Sequence, residues 1–261
     1  MHQSNEGDPL RIEFGADEYS PKLAMDDFSG VADEITARTD KRVFGSKNVS
    51  NKPIFLDIWN PDYPDLQFID LPGFTKTPVN GQDATICQDI LDCNLPFMQG
   101  ENTLILAIQD ASQDIGNSAA MEISEREDVD PNHERTIGVL TKLDTLTAAT
   151  DKARAVKILR NETKPLKYGY FGVINRSQDN IDQGLGMDQS QEKEAEIKRD
   201  PAFADIRSRI GILQLRGFIS RLLANKMEPM LPELRNKATE DLRNADRDLK
   251  EHGRLNDQGK N

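Results

Sequence analysis

Residues 135–144 read RTIGVLTKLD, and they join a short apolar run to a polar turn. The run at 137–140 is almost continuously apolar, which is typical of a strand buried on both faces of a parallel sheet. Helical patterns separate it from similar runs, and strands that alternate with helices predict an α/β fold, a mostly parallel sheet with helices on both faces. The predicted strands span residues 10–14, 54–59, 66–69, 103–108, 136–140 and 171–174.

The spacing of apolar residues adds detail to this fold. Residues 104–108 are continuously apolar and predict a second central strand, whereas residues 54–58 alternate and predict a strand nearer the edge. Helices are predicted at 86–95 and 152–159. Pro232 is expected to bend the helix near the carboxyl end. Two apolar helical stripes are predicted, one formed by Phe28, Val31, Ala32 and Ile35, the other by Leu215, Phe218, Ile219, Leu222 and Leu223.

Composition excludes several classes of protein. The chain has 261 residues, 36% of them hydrophobic, which suits one substantial domain with an appendage. Its net charge of −12 argues against a general surface for nucleic acids or anionic membranes, because both require clustered Lys and Arg. No apolar run approaches the roughly 20 residues of a membrane-spanning helix. Cys87 and Cys93 are predicted to be free, partly buried thiols, and the scattered histidines predict no zinc site.

Polar turns follow three of the predicted strands. They begin at Asp70 (DLPG), at Thr141 (TKLD) and at Asn175 (NRSQ). In open sheets of this kind, ligands bind beyond the carboxyl ends of the strands, where all three turns fall. A carboxylate at Asp70 suits a water bound to magnesium, and the backbone N–H of Gly73 suits the approach of a terminal phosphate. The DLPG pattern is weak by itself, since residues 27–30 (DFSG) repeat its spacing inside a predicted helix.

The second turn has the chemistry of base recognition. A carboxylate at Asp144 accepts both N–H groups on the Watson–Crick edge of guanine, a pair of donors that adenine does not present. The stem of Lys142 would lie along the ring. Two simpler alternatives stay open: Asp144 as an acidic residue at a helix start, and residues 175–178 as an ordinary surface loop.

Together these motifs resemble the large GTPases of the dynamin family. Residues 70–79 (DLPGFTKTPV) look like that family's second switch, and residues 135–144 are similar to its base-recognition strand and turn. Residues 168–178 (YGYFGVINRSQ) resemble its last nucleotide-binding element. The likeness implies a polar segment at 1–8, a partial GTPase domain at 9–231, and the start of a bundle helix with a polar tail at 232–261.

The resemblance also implies roles for individual residues, with GTP and Mg²⁺ as the ligands. Asp70 would hold Mg²⁺ through a water, and the Gly73 backbone would position the attacking water. Thr141, Lys142 and Asp144 would grip guanine. Residues 114–118 (DIGNS) resemble the loop that reaches across the GTPase dimer, so Asp114 is a candidate dimer contact, with an Asx turn as the alternative. The residues implied to close over base and ribose are Asn175, Arg176 and Gln178.

One mark of the family is not found in these 261 residues. No segment has Gly, four free positions and then Gly-Lys-Ser or Gly-Lys-Thr, the pattern of a phosphate loop. In phosphoryl transfer the protein supplies mainly positioning and charge stabilisation, and that loop supplies much of both. The chain by itself is therefore predicted to bind GTP weakly and not to hydrolyse it appreciably. Neighbouring strand edges are also expected to be uncovered, which invites aggregation.

Three interpretations stay open at this stage. In the first, the chain is a fragment of a cytoplasmic dynamin-like GTPase. Its parent would hydrolyse GTP, associate with itself, and remodel or divide membranes at their surface through regions that this chain lacks. In the second, it is a catalytically inactive interaction protein that binds dynamin relatives through the GTPase dimer face. In the third, it binds GTP after gaining a phosphate site from another chain.

Overall fold

A computed structural model describes residues 10–44, 48–60, 66–78, 81–175 and 188–258. The chain divides into two compact units, Met1–Gln214 and Leu215–Asn261. The described strands are β1 (Arg11–Phe14), β2 (Leu23–Met25), β3 (Leu56–Trp59), β4 (Ile105–Asp110), β5 (Thr136–Thr141) and β6 (Tyr170–Gly172). The described α-helices are α1 (Val31–Val43), α2 (Ile86–Met98), α3 (Ala119–Ser124), α4 (Ala149–Leu159), α5 (Asp188–Arg199), α6 (Ile212–Met227) and α7 (Leu231–Gln258). Over these residues, every helix is too short or too polar to cross a bilayer.

A parallel sheet with the order β4–β5–β6 forms the centre of the first unit. This confirms the predicted α/β fold with a parallel sheet flanked by helices. Residues 136–140 of β5 are all buried, as expected for a strand with neighbours on both sides. In β4, however, burial alternates and Ile108 is 56% exposed, so burial on both faces is confirmed for β5 and wrong for β4.

A second sheet, which the sequence pattern did not predict, is antiparallel with the order β2–β1–β3. Its central strand β1 places Ile12 opposite both Met25 and Ile58. Ile12 and Phe14 are fully buried, so β1 supplies the apolar face of this sheet. Over the described residues, strand β3 lies at the edge of this antiparallel sheet, whereas its alternating pattern had predicted a place near the edge of the parallel one.

The strand predicted at residues 66–69 is wrong. These residues are described but form no strand, and Phe68 and Ile69 are 68% and 47% exposed. A β-strand exists only when its N–H and C=O groups pair with a neighbour. Within the described ranges, neither sheet pairs with this segment. The apolar pattern was therefore insufficient to form a strand here.

Helix α1 packs in a way that its sequence did not suggest. The predicted apolar stripe is wrong, because Phe28 precedes the helix and Phe28 and Ile35 are 48% and 39% exposed. The buried side chains are instead Arg42, which is 6% exposed, and Arg38, which is 1% exposed. The Arg38 guanidinium donates to the carbonyl oxygens of Gly15 and Pro21, each at 2.7 Å. The helix is thus attached to the segment around β1 by hydrogen bonds from a buried arginine to backbone carbonyls.

The turn that precedes β5 is stabilised by the carboxylate of Asp130. This side chain is buried and accepts hydrogen bonds from Thr136 Oγ1 at 2.6 Å and from the backbone N–H groups of Glu134 and Arg135 at 2.9 and 3.0 Å. Burial raises the pKa of Asp130, but these hydrogen bonds outweigh it and leave the pKa below its usual value. The start of the central strand is therefore defined by a buried ionised group.

In the second unit, helices are present as predicted but the proline acts differently. Helix α6 buries Leu215 and Ile219, in agreement with the predicted stripe. The interruption before α7 is a 3₁₀ turn at Glu228–Met230, which contains Pro229. Pro232 lies in the first turn of α7, where a missing N–H costs no helical hydrogen bond. The prediction that Pro232 bends a continuous helix is therefore wrong.

Candidate functional site

The carboxyl edge of the parallel sheet brings the ends of three strands together. Asp110 at the end of β4 is in register with Thr141 at the end of β5, and the hydroxyl of Thr141 donates to the carbonyl of Gln109 at 3.2 Å. Beyond β6, the Val173 N–H donates to the Leu140 carbonyl at 2.8 Å. Polar residues that follow these strands therefore meet at one edge, where ligands bind in open α/β sheets.

The turn after β5 presents two charged side chains and buries the residue between them. Lys142 has a left-handed backbone with φ of 57°, and a 3₁₀ turn follows at Leu143–Thr145. Leu143 is fully buried, and it fits against Gly172 of β6 so closely that a Cβ on this glycine would lie 2.3 Å from Leu143 Cδ1. The Thr145 hydroxyl donates to the Lys142 carbonyl at 2.8 Å. Burial of Leu143 thus turns Lys142 and Asp144 towards the edge of the sheet.

Both charged residues of this turn have ion-pair partners. Lys142 Nζ lies 2.9 Å from Asp110 Oδ2, and Lys193 Nζ of helix α5 lies 2.8 Å from Asp144 Oδ2. Burial raises the pKa of Asp110, but hydrogen bonds from Ser112 and Lys142 outweigh it and leave the pKa lowered. Asp110 is therefore ionised near neutral pH and faces the amino group of Lys142. The edge carries alternating charges, and Lys193 already pairs with one oxygen of the Asp144 carboxylate.

The third predicted turn is only partly described. Asn175 is exposed and follows β6 and two buried residues, so it lies beyond the carboxyl end of this strand as predicted. Arg176 and Gln178 lie outside the described residues. Of the predicted base and ribose contacts, the described part of the structure therefore brings Thr141, Lys142, Asp144 and Asn175 to the ends of two adjacent strands.

The segment with Asp70 and Gly73 is held by helix α2. The Nδ2 group of Asn94, which is fully buried, donates to the Pro72 carbonyl at 2.8 Å. The side chains of Leu71 and Phe74 pack against a small apolar cluster. Asp70 and Gly73 themselves are exposed, and nothing lies within 4 Å of a Cβ built on Gly73. The members of that cluster are Met98, Ile105 and Val129, with Leu95 and Ile123 at its border.

The described contacts do not join this segment to the turn at residues 141–144. Among the described residues, neither Asp70 nor Gly73 makes a hydrogen bond or ion pair with residues 141–144. The open backbone at Gly73 does allow a ligand oxygen to approach its N–H. The structure therefore presents a formed turn at residues 141–144 and a separate anchored segment with an exposed carboxylate.

The donor set around Asp70 limits how a metal could be held. Over the described ranges, no group of three or more His, Cys, Asp or Glu side chains forms a metal-binding cluster. Mg²⁺ usually keeps several waters and binds through one or two carboxylates together with substrate phosphates. A single exposed carboxylate such as Asp70 fits this mode of Mg²⁺ binding, in which a nucleotide would supply the other oxygens.

The structure bears on both interpretations of Asp114 that the sequence left open, the Asx turn and the dimer contact. Its carboxylate accepts a hydrogen bond from the Gly116 N–H at 2.9 Å and so caps the 3₁₀ turn Ile115–Asn117. Ser118 caps α3 by accepting from the Met121 N–H at 3.3 Å. The Asx turn is therefore confirmed. Asp114 is also exposed, and its role as a dimer contact stays a prediction.

Sequence reasoning missed three residues at or near the site: Asn94, Asp110 and Lys193. Asp110 follows an apolar run, so the strand-end argument that found Asp70 would have found it too. Asn94 lies in a helix whose apolar residues recur every four positions, and only its place on that face hints at burial. Lys193 is 49 residues from Asp144 in a polar helix, and no local pattern pointed to it.

Comparison with known proteins gives matches over nearly the whole chain. A sequence profile described as Dynamin family matches residues 3–143, and one described as Dynamin central region matches residues 154–261. The chain is 35% identical to dynamin-related protein 12A of Glycine max over 237 residues, 90% of this chain and 38% of that protein. It is 37% identical to dynamin-1 of Homo sapiens over 227 residues, 87% of this chain and 26% of that protein. For dynamin-2 of Bos taurus, identity is 36% over 249 residues, 93% of this chain and 28% of that protein.

These matches show the family of the chain and how much of its relatives' length it covers. The chain spans between 26% and 38% of the length of these relatives. The Dynamin family profile alone accounts for more than half of the 261 residues, and it includes strand β5. Together with the α/β fold and the turn after β5, the profile match shows that this chain belongs to the dynamin family.

Proposed function

We propose that this chain binds GTP at the carboxyl edge of the β4–β5–β6 sheet, as the nucleotide-binding part of a dynamin-like protein. The observation that carries the proposal is the turn after β5, where buried Leu143 holds the Asp144 carboxylate at this edge. Guanine offers two adjacent N–H donors that a carboxylate accepts, and adenine does not. Lys142 precedes this carboxylate by two residues and pairs with Asp110, and in this proposal its exposed stem lies along the base.

The other predicted residues take positions around the same nucleotide in this proposal. Asn175, Arg176 and Gln178 close over the base and ribose. Asp70 holds Mg²⁺ through a water, with the phosphates completing the ligand set. The Gly73 N–H approaches the terminal phosphate, for which its open surroundings leave room. The support for these roles is the family membership and the strand-end placement of Asn175.

We also propose that the 261-residue chain by itself does not hydrolyse GTP appreciably. The phosphate-loop pattern is not found in its sequence, and phosphoryl transfer depends on the positioning and charge that such a loop supplies. Binding is expected to be weak for the same reason, because the contacts to the phosphates are reduced. Base recognition does not depend on that loop and is therefore retained.

Two measurements on the 261-residue chain test these statements. Fluorescence anisotropy with ribose-labelled GTP and ATP is expected to show tighter binding of GTP, by roughly tenfold for one charged hydrogen-bonding group. Phosphate release at saturating GTP is expected to stay at the rate of protein-free buffer. Equal affinity for the two nucleotides would contradict base recognition. Multiple-turnover release that disappears in Asp70→Ala would contradict the proposed lack of hydrolysis.

The remaining part of the proposal concerns the protein in its cellular setting. We propose self-association through the face that carries exposed Asp114, in a cytoplasmic protein that reaches membranes peripherally and remodels them through regions outside these 261 residues. The support is family membership, together with a net charge of −12 that does not favour direct binding to anionic lipids. Sedimentation velocity of the chain with and without GTP tests the self-association, and a monomer under both conditions argues against it.

A further inference from the structure

Helix α5 places a lysine directly on the base-recognition carboxylate. Lys193 Nζ donates to Asp144 Oδ2 at 2.8 Å, and α5 packs against the 3₁₀ turn that carries Asp144. The Asp144 side chain is 19% exposed and that of Lys193 is 43% exposed. The ammonium group therefore covers one oxygen of the carboxylate and stays accessible to water.

The neighbouring charged residues of α5 have different partners. Lys198 donates to Glu194 at 2.6 Å, and Glu194 accepts from the Ile212 N–H at 3.2 Å. For Lys193, Asp144 is the ion-pair partner within the described residues. The contact is therefore specific to the lysine one turn before Ile197, the position on α5 that packs against the main apolar core.

The Lys193–Asp144 contact uses a carboxylate oxygen that guanine would also need. The two N–H donors of guanine point to the two oxygens of one carboxylate, and Lys193 occupies Oδ2 in the structure. A partly exposed Lys–Asp pair is weak, because both charges lose hydration and the lysine loses side-chain freedom. A base that offers two hydrogen bonds in a fixed geometry can therefore displace the ammonium group, but must overcome the existing pair. Adenine does not use this carboxylate and meets no such competition.

We propose that Lys193 is a competitor for guanine at Asp144, so that it lowers the affinity for guanine nucleotides without changing that for adenine nucleotides. This inference rests on the proposed GTP-binding function. Helix α5 thereby becomes a specificity-determining element of the site. Any movement of α5 that withdraws Lys193 is expected to raise the affinity for GTP, which makes the position of this helix a means of control.

The experiment compares Lys193→Met with the unchanged 261-residue chain, using ribose-labelled GTP and ATP in fluorescence anisotropy. Removing the ammonium group is expected to tighten GTP binding about threefold to fivefold, the range of a partly exposed ion pair, and to leave ATP binding unchanged. Lys198→Met in the same helix is the matched control, and no change is expected there. In the Asp144→Asn background, Lys193→Met is expected to have no effect on GTP binding.

The possible outcomes distinguish a failure of this inference from a failure of the proposed function. Suppose the unchanged chain binds GTP selectively. If Lys193→Met then binds GTP no more tightly than the unchanged chain, the competitor role is wrong. Weaker binding by Lys193→Met would assign Lys193 a positioning role. If neither protein distinguishes GTP from ATP, the proposed function fails, and the inference fails with it. Circular dichroism verifies that each variant is folded, and Lys193→Gln, which keeps most of the stem, replaces Lys193→Met if the latter unfolds.

Discussion

Replacing Arg135 with Met is expected to lower the free energy of unfolding of the first unit by about 3 kcal/mol, the cost of leaving four backbone acceptors, two of them in buried residues, without their donor. The guanidinium donates to the carbonyl oxygens of Gly100 and Thr103 at 2.8 and 2.9 Å, and also to those of Met98 and Val129. Met preserves the apolar stem and removes these donors. Arg135 thus ties the end of α2, the start of β4 and the turn before β5 together.

Urea denaturation followed by fluorescence and circular dichroism measures the change. In thermal unfolding, the same loss corresponds to about 6–12 °C for a unit of this size. Arg126→Met is the matched control, because Arg126 is 41% exposed and pairs with equally exposed Asp128, so a change within about 0.5 kcal/mol is expected. Arg135→Lys is not expected to restore stability, since an ammonium group lacks the planar fork of donors. A midpoint for Arg135→Met equal to that of the control would show that water replaces these bonds.

Replacing Asp144 with Asn is expected to weaken GTP binding by roughly 10-fold to 100-fold, because one charged acceptor becomes an amide donor facing a donor on guanine. The same change is expected to create binding of xanthosine triphosphate. Xanthine has a carbonyl where guanine has its amino group, and the new Nδ2 group donates to it. Competition of the two triphosphates against ribose-labelled nucleotide gives both values in one titration series.

The gain of xanthosine triphosphate binding makes this test independent of general damage to the site. Asp151→Asn is the control, since Asp151 lies in the next helix, pairs with Arg154, and is 40% exposed. No change in preference is expected there. If Asp144→Asn binds GTP as tightly as the unchanged chain, or loses GTP without gaining xanthosine triphosphate, Asp144 does not contact the Watson–Crick edge. The base would then lie elsewhere on the sheet.

The position of the turn at residues 141–144 was predictable because its signal is local. An apolar run followed at once by TKLD describes strand β5 and its turn within ten consecutive residues. The same logic correctly put Asn175 at the end of β6. It also predicted a strand at residues 66–69, and this was wrong because pairing with a neighbour, which no local pattern contains, decides whether an apolar run becomes a strand.

Helix α1 shows a second kind of failure. Its apolar spacing predicted the buried face, but the residues that the fold buries are Arg38 and Arg42. For Arg38, the cost of burial is offset by hydrogen bonds to two backbone carbonyls and to Glu34. The carbonyls of Gly15 and Pro21 lie 23 and 17 residues from Arg38 in the sequence, and Glu34 lies one helical turn before it. A sequence pattern counts Arg as polar and therefore predicts that its side chain faces water. In the structure, the carbonyl and carboxylate groups around Arg38 accept its hydrogen bonds and so allow its burial.

The amino-acid sequence by itself indicated the dynamin-type motifs, an α/β fold with a parallel sheet, and the place of residues 141–144 at a strand end, because each is encoded in a short contiguous segment. Only the tertiary structure decided which segments pair, which charged groups are buried and which partners the motif residues meet. Lys193 on Asp144, Asp110 beside Lys142 and Asn94 beneath Pro72 belong to this second group. The physical reason is that these contacts join residues distant in the chain, so their formation depends on how complete elements pack.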